Sequence, residues 1–415
     1  MVALTQKQRA IADGAKGEGP ALAMEIVAKA ARLLGAEKLI PVASTHIDSC
    51  LYHGDSGVVF AERLVGGGAK VAVPSSLNVG ALNLLRPGQD RLDDHRREMA
   101  GRLMQAYEAL GCRPSWTCAP YQVGHRPALG QDVAWGESNA VVFANSILGA
   151  RTNRYGDFLD ICCAVAGAAP ACGLHLPENR RATVLVNTHG LSDELKTAET
   201  LYPVLGAWLG RTVDSAVAVI DGLPQDLTED SVKAMGAAAA ATGAVGLFHV
   251  AGVTPEAPTV SDALGGRQAA ETIALTPTML AAERDLLSTV NSGSIDAVAL
   301  GSPHFSLSEF TAFERKLADR KVAIPTYICT ARETLEALGS RATALEENGV
   351  ILVADTCVVV TPILADIAGV LMTNSGKFAH YTPANTGYQV MYGSLADCVE
   401  SAVSGRPVRD EQLWQ

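Results

Sequence analysis

The chain has 415 residues and a formal net charge of −11, from 33 Lys and Arg against 44 Asp and Glu. No cationic run offsets this acidity, which excludes nucleic-acid binding as the main task. With 48% hydrophobic but only 5% aromatic residues, the interior must be built mostly from Ala, Val, Ile and Leu, which suits layered α/β structure better than a bundle or a sandwich.

Met1 to Gln8 read as a helix entry, with Thr5 capping and Gln8 three residues on. They contain no apolar run of signal-peptide length. The longest apolar stretch, residues 349–372, is broken by Asp355 and Asp366 and does not read as a membrane span. Nine cysteines without a leader predict a reducing, cytoplasmic setting in which thiols are free or bind metal.

Short β-branched runs then alternate with segments of helical period, the grammar of βα units around parallel sheets. In chain order the spacing predicts helix Pro20–Leu34, strands Leu39–Ser44 and Lys70–Pro74, helix Arg91–Leu110 and strand Ser115–Cys118. Strands Thr183–Thr188, Ala216–Asp221 and Val245–Val250 follow, with the helical run Ala237–Ala241 needing a closely packed neighbour. The last part predicts helix Thr276–Val290, strand Asp296–Leu300, helix Ser308–Arg320, strand Ala323–Cys329, helix Ala331–Leu338 and strands Gly349–Ala354 and Gly369–Thr373. At roughly 150 residues per domain the length predicts two to three domains, and soft boundaries divide it as 1–180, 181–290 and 291–415.

Ligands of open parallel sheets bind beyond the carboxyl ends of the strands, and the predicted ends here are polar. They offer His46, the run His53 to Gly57 with Asp55 and Ser56, Asn78, Cys118, Gly301-Ser302-Pro303-His304, Asp355 to Cys357, and Asn374-Ser375-Gly376-Lys377. Many Ser and Asn residues at such places are helix caps, but their recurrence points to a site assembled from several strand exits. Gly66 to Gly68 precedes a strand and lacks dinucleotide spacing, and Gly376-Lys377 has no upstream glycine at phosphate-loop spacing. Ser375, Lys377 and nearby backbone amides can still cradle a carboxylate or phosphate. No Cys-x-x-Cys pair, His-x-x-x-His pair or Gly-x-Ser-x-Gly elbow occurs. A lone cysteine is usually core. Cys118, Cys329 and Cys357, however, each follow an apolar run and could converge on one soft metal centre.

These blocks resemble the aconitase X family, in particular its large catalytic subunit. The resemblance is carried by His46-Ile47-Asp48-Ser49, Gly54-Asp55-Ser56-Gly57, Thr117 to Tyr121, Glu137-Ser138-Asn139-Ala140 and Ala144 to Asn153. It continues through Gly173 to Leu176, Gly301 to His304, Asp355-Thr356-Cys357 and Thr373 to Lys377. The resemblance implies an aconitase-like α/β fold of several three-layer α/β/α domains around mostly parallel sheets. It also implies an iron–sulfur cluster or iron held by Cys118, Cys357 and, as third thiol, Cys329. Some family members carry Cys where this chain has Ser302.

The implied reaction is dehydration of a small hydroxy acid. The metal would act as Lewis acid on the leaving oxygen, and Arg151 would clamp the substrate carboxylate. His46, Asp55, Ser56, Asn78, Ser138, Asn139, Asn145, Thr152, Asn153 and Asn374 are the expected substrate-positioning residues, with Glu137, Ser375 and Lys377 as catalytic groups. Wording such as His46 to Cys50 favours the branch acting on cis-3-hydroxy-L-proline over the branch acting on mevalonate 5-phosphate. The resemblance further implies a separate small subunit carrying a swivelling domain. A non-catalytic iron–sulfur carrier or a metal-free scaffold are the readings from other classes; the polar run Glu137 to Arg154 speaks against a carrier, which needs no polar pocket.

Overall fold

The computed structural model describes residues 2–366, 368–410 and 412–414. Three of its four sheets are wholly parallel. The first is short: strand Thr45–Ile47 lies between Ser75–Leu77 and Ala134–Trp135. The second orders Phe248–Val250, Ala218–Asp221, Val184–Asn187 and Glu271–Ala274. The third orders Val350–Val353, Thr326–Thr330, Ala297–Phe305, Val370–Thr373 and Gln389–Tyr392. The exception is the antiparallel pair Leu39–Pro41 with Ala168–Pro170. Strands buried on both faces read as continuous apolar runs, and Val350-Ile351-Leu352-Val353 is such a run. The fold is the mixed, mostly parallel α/β architecture that the sequence predicts.

The Ala-rich helix Glu229–Thr242 packs against helix Leu201–Val213. A Cβ on Gly206 would sit 2.1 Å from the Met235 carbonyl oxygen, so only glycine permits this approach. That neighbour is what Ala237–Ala241 requires.

Several predicted elements shift. Lys70–Pro74 and Ser115–Cys118 are not strands. Pro74 lacks a donor for a ladder, and pairing begins at Ser75. Trp116 takes a left-handed φ of 39°, which breaks extension just before Cys118. Ala134–Trp135, Glu271–Ala274 and Gln389–Tyr392 are strands that the sequence did not suggest. Ala297–Phe305 runs beyond the predicted end, with the ladder irregular between Leu300 and Phe305. Among the described residues no helix is long and apolar enough to cross a membrane.

Candidate active site

The carboxyl ends of the first and third parallel sheets meet around a cavity of about 240 Å³. Asp48 follows strand Thr45–Ile47, Asn78 follows Ser75–Leu77, and Glu137 follows Ala134–Trp135. From the third sheet come Ser302, Cys357 beyond Val350–Val353, and Lys377 beyond Val370–Thr373. Cys118, Ser138, His53 and Asn385 complete the polar wall, with Leu51, Val79, Val359, Val360 and Tyr381 apolar or aromatic around it.

Glu137 caps helix Ser138–Val142, accepting from the Ala140 N–H at 2.7 Å. The same carboxylate accepts from the Lys377 ammonium and from Ser138 Oγ at 3.2 Å. Burial alone would push the Lys377 ammonium towards neutrality, but the charges of Glu137 and Cys118 outweigh it and hold its pKa above the ordinary lysine value. The cation therefore persists inside the cavity.

Cys118 is fixed from two sides. The His304 N–H donates to its sulfur at 3.2 Å, and the Asn139 amide donates to its carbonyl oxygen at 3.0 Å. Burial pushes the Cys118 thiol up to about 12, while Lys377 pulls the other way. Burial raises the Cys357 thiol too, against the same ammonium. Cys357 is held by its loop: Asp355, buried with φ 66°, pairs with Arg332 and accepts from the Leu84 N–H at 3.0 Å.

Two soft donors beside a permanent cation suit a thiophilic iron centre, whose ligands must be thiolates. Two of the three expected thiols, Cys118 and Cys357, line the cavity, and both act electrostatically on the third, Cys329. Cys329 is fully buried and lies inside the ladder, in register with Val353. Ser302, not Cys329, reaches the cavity wall. Among the described residues no three His, Cys, Asp or Glu side chains are grouped to hold a metal ion.

Of the residues expected from sequence, the cavity brings together Cys118, Cys357, Glu137, Ser138, Lys377 and Asn78. The others are placed elsewhere. Asn145 is buried and spent on main chain and Arg180: it donates to Thr152 O and Gly246 O, both at 2.8 Å, and accepts from the Thr152 N–H and Arg180. Thr152 accepts from the Trp135 N–H, and Asn153 ties Cys172 to Leu174. Arg151 bridges Asp132 through its backbone and is not among the residues lining the cavity. Asn139 acts one layer out, through Cys118.

His46 is fully buried and shares a 2.8 Å hydrogen bond with Ser76. Ser56 is exposed, and Asp55 faces a neighbouring cavity while bonding Tyr52 and His95. Asn374 and Ser375 line a different cavity on the far side of Ser302, and Ser375 caps the helix that carries Lys377. Asp48, His53 and Asn385 are polar wall residues for which the sequence suggested no role at the site. Asp48 and His53 sit in the polar run after the strand containing His46, which was the available signal.

A family description of the aconitase X first domain matches residues 1–178, of its second domain 182–285 and of its third domain 295–404. The chain is 42% identical to a cis-3-hydroxy-L-proline dehydratase of Pseudomonas aeruginosa, over 98% of this chain and 71% of the relative. It is 35% identical to a phosphomevalonate dehydratase large subunit of Thermococcus kodakarensis, over 96% of this chain and 99% of the relative. A crystal structure of Thermococcus kodakaraensis aconitase X in its holo form superposes with a TM-score of 0.85 at 32% identity, covering 97% of this chain and all of that one.

Proposed function

The chain belongs to the aconitase X family, and from that membership and its cavity we propose that it dehydrates cis-3-hydroxy-L-proline. That it is a dehydratase follows from its relatives, which are named as dehydratases across both branches. The observation carrying the choice of substrate is the wall of the 240 Å³ cavity, where Lys377 is the one ammonium or guanidinium among the described residues. One cation matches a substrate with one carboxylate. The buried Oδ1 of Asn78 has no protein donor and suits the ring ammonium or hydroxyl of a cyclic amino acid.

In this reading the Lys377 ammonium keeps one hydrogen for Glu137 and turns the others to the substrate carboxylate, a charge-assisted pair. Glu137 orients Lys377 and is too heavily bonded to be a free base. The apolar residues Leu51, Val79, Val359 and Val360 keep water from the ring and strengthen each polar contact. Cys118 and Cys357 would hold an iron–sulfur cluster or iron, which supplies Lewis acidity towards an oxygen when bound. A small subunit bearing a swivelling domain would close the cavity. The "large subunit" name of the archaeal relatives supports such a partner.

A specific observation favours mevalonate 5-phosphate as second reading. A cavity of about 510 Å³ shares His53, Val359, Val360 and Asn385 with the first, and Arg91 and Arg96 line it. A phosphate on a longer substrate could reach them. Anaerobically prepared chain, with and without the small subunit, assayed for water loss from both compounds tests the proposal. Turnover of the hydroxyproline only with the partner present is expected; no turnover of it in either preparation contradicts the assignment.

A further inference from the structure

We infer that Asp48 is the proton donor to the departing hydroxyl group, held for that task by Asn78 and Asp160; the inference deepens the dehydratase reading above and rests on it. Asp48 lines the cavity. Its main chain is pinned: the Asp48 N–H donates to Asp160 Oδ2 at 2.7 Å, and Ser49 gives the same carboxylate its N–H at 3.0 Å and its hydroxyl at 2.7 Å. The turn after strand Thr45–Ile47 therefore presents its next side chain in one orientation. Asp160 is a positioning residue. A Cβ at Gly136 would lie 2.8 Å from Asp160 Oδ2 and 2.9 Å from the Asp48 Cβ, so a glycine there lets the two strand exits close on each other.

The side chain is equally constrained. The Asn78 amide donates to Asp48 Oδ1, and among the described residues no protein donor is recorded for its other oxygen. Glu137 differs in kind: Lys377, Ser138 and the Ala140 N–H commit its carboxylate. Among the described residues Asp48 has no cationic partner. The titratable groups around it are Glu137, Asp160, Asp157 and the Cys50 thiol, with Lys377 one step removed behind Glu137. Burial first, then the charges of Glu137, Asp160 and Asp157, lift the Asp48 carboxyl to about 7. A carboxyl group that keeps its proton up to near neutrality thus stands in a cavity whose other carboxylate is paired, the arrangement that separates acid from spectator.

The C3–O bond breaks with its electron pair on oxygen, and the Asp48 proton joins that oxygen to give water. The electron pair of the C2–H bond becomes the new C2=C3 bond. In the cis isomer the hydroxyl shares a ring face with the carboxylate, so the C2 hydrogen is on the opposite face. Asp48 cannot take that proton as well. It goes to a separate base, a carboxylate, imidazole or alkoxide, and solvent reprotonates Asp48 before the next turnover.

A leaving group that needs no proton isolates this role. The assembled enzyme is compared on cis-3-hydroxy-L-proline and cis-3-chloro-L-proline, from which chloride departs unprotonated. Asp48→Asn should lose about 100-fold or more in kcat on the hydroxy compound, with KM little changed and substrate affinity retained. On the chloro compound it should run within several-fold of wild type. Asp48→Glu should recover part of the loss. If Asp48→Asn does not fold, Asp48→Glu carries the same test, with a smaller loss confined to the hydroxy compound. Equal impairment on both compounds, or none on either, overturns the inference alone. Wild-type enzyme inactive on the hydroxy compound overturns the functional reading, and this inference with it.

Discussion

The Lys377 ammonium donates to the Glu137 carboxylate inside the cavity, joining side chains 240 positions apart, 11% and 4% exposed. One partner lies on a helix entered from the five-stranded sheet, the other caps a helix entered from the three-stranded sheet. The pair therefore fixes the relative position of the two halves of the wall. Removing one member leaves the other charged and buried. Glu137→Ala should cost about 3–5 kcal/mol of unfolding free energy, read by denaturant titration. Lys377→Met, which also removes the ammonium that would meet substrate, should raise KM sharply. A Glu137→Ala protein as stable as wild type would mean the pair is solvated.

Asp48 and Asp160 make stability depend on pH in a stated direction. Burial lifts Asp48 to about 7 and Asp160 to about 6. Both lie above the ordinary aspartate value of about 3.9, so between about pH 4 and 7 the native chain binds more protons than the unfolded chain. Their contribution is thus full below about pH 4 and lost as pH rises through 6 to 7. Asp48→Asn should flatten this fall and melt higher than wild type at pH 8. Thermal melts across pH check it, and an unchanged slope would contradict the assignment of a raised Asp48.

Iron retention separates the thiols. Cys118→Ser and Cys357→Ser should each abolish iron and acid-labile sulfide in anaerobic preparations. Cys329→Ser should keep both, because its side chain is sealed within the sheet. Loss of iron on Cys329→Ser alone would return it to the ligand set.

Arg151 should tolerate replacement. It lies outside the cavity, with its Nε buried and unpartnered. Arg151→Lys should keep kcat/KM within a few-fold of wild type in steady-state assays; a loss near 100-fold would place it at the substrate.

The fold was legible because parallel strands buried on both faces leave continuous apolar runs, as at Val350 to Val353. Glu271–Ala274 escaped because three of its four residues are exposed, so it carries no such run. At the site, predicted strand ends marked Asn78, Cys118, Cys357 and Lys377, and the family resemblance marked Glu137; all five line the cavity. Asn145, Thr152 and Asn153 look identical in sequence but spend their polar atoms mainly on main chain across a π-turn at Phe143–Ile147. A polar side chain does not reveal in sequence whether its partner is backbone or ligand. Cys329 follows an apolar run as Cys357 does, but its strand continues to Thr330, whereas Cys357 lies beyond its own and lines the cavity.

The most direct measurement is the ratio of kcat/KM for cis-3-hydroxy-L-proline to that for mevalonate 5-phosphate, on anaerobic enzyme assembled with its small subunit. A cavity with Lys377 as its one ammonium or guanidinium among the described residues predicts strong preference for the hydroxyproline, with Lys377→Met raising KM sharply. Preference for the phosphorylated substrate, lost on replacing Arg91 and Arg96, would contradict it.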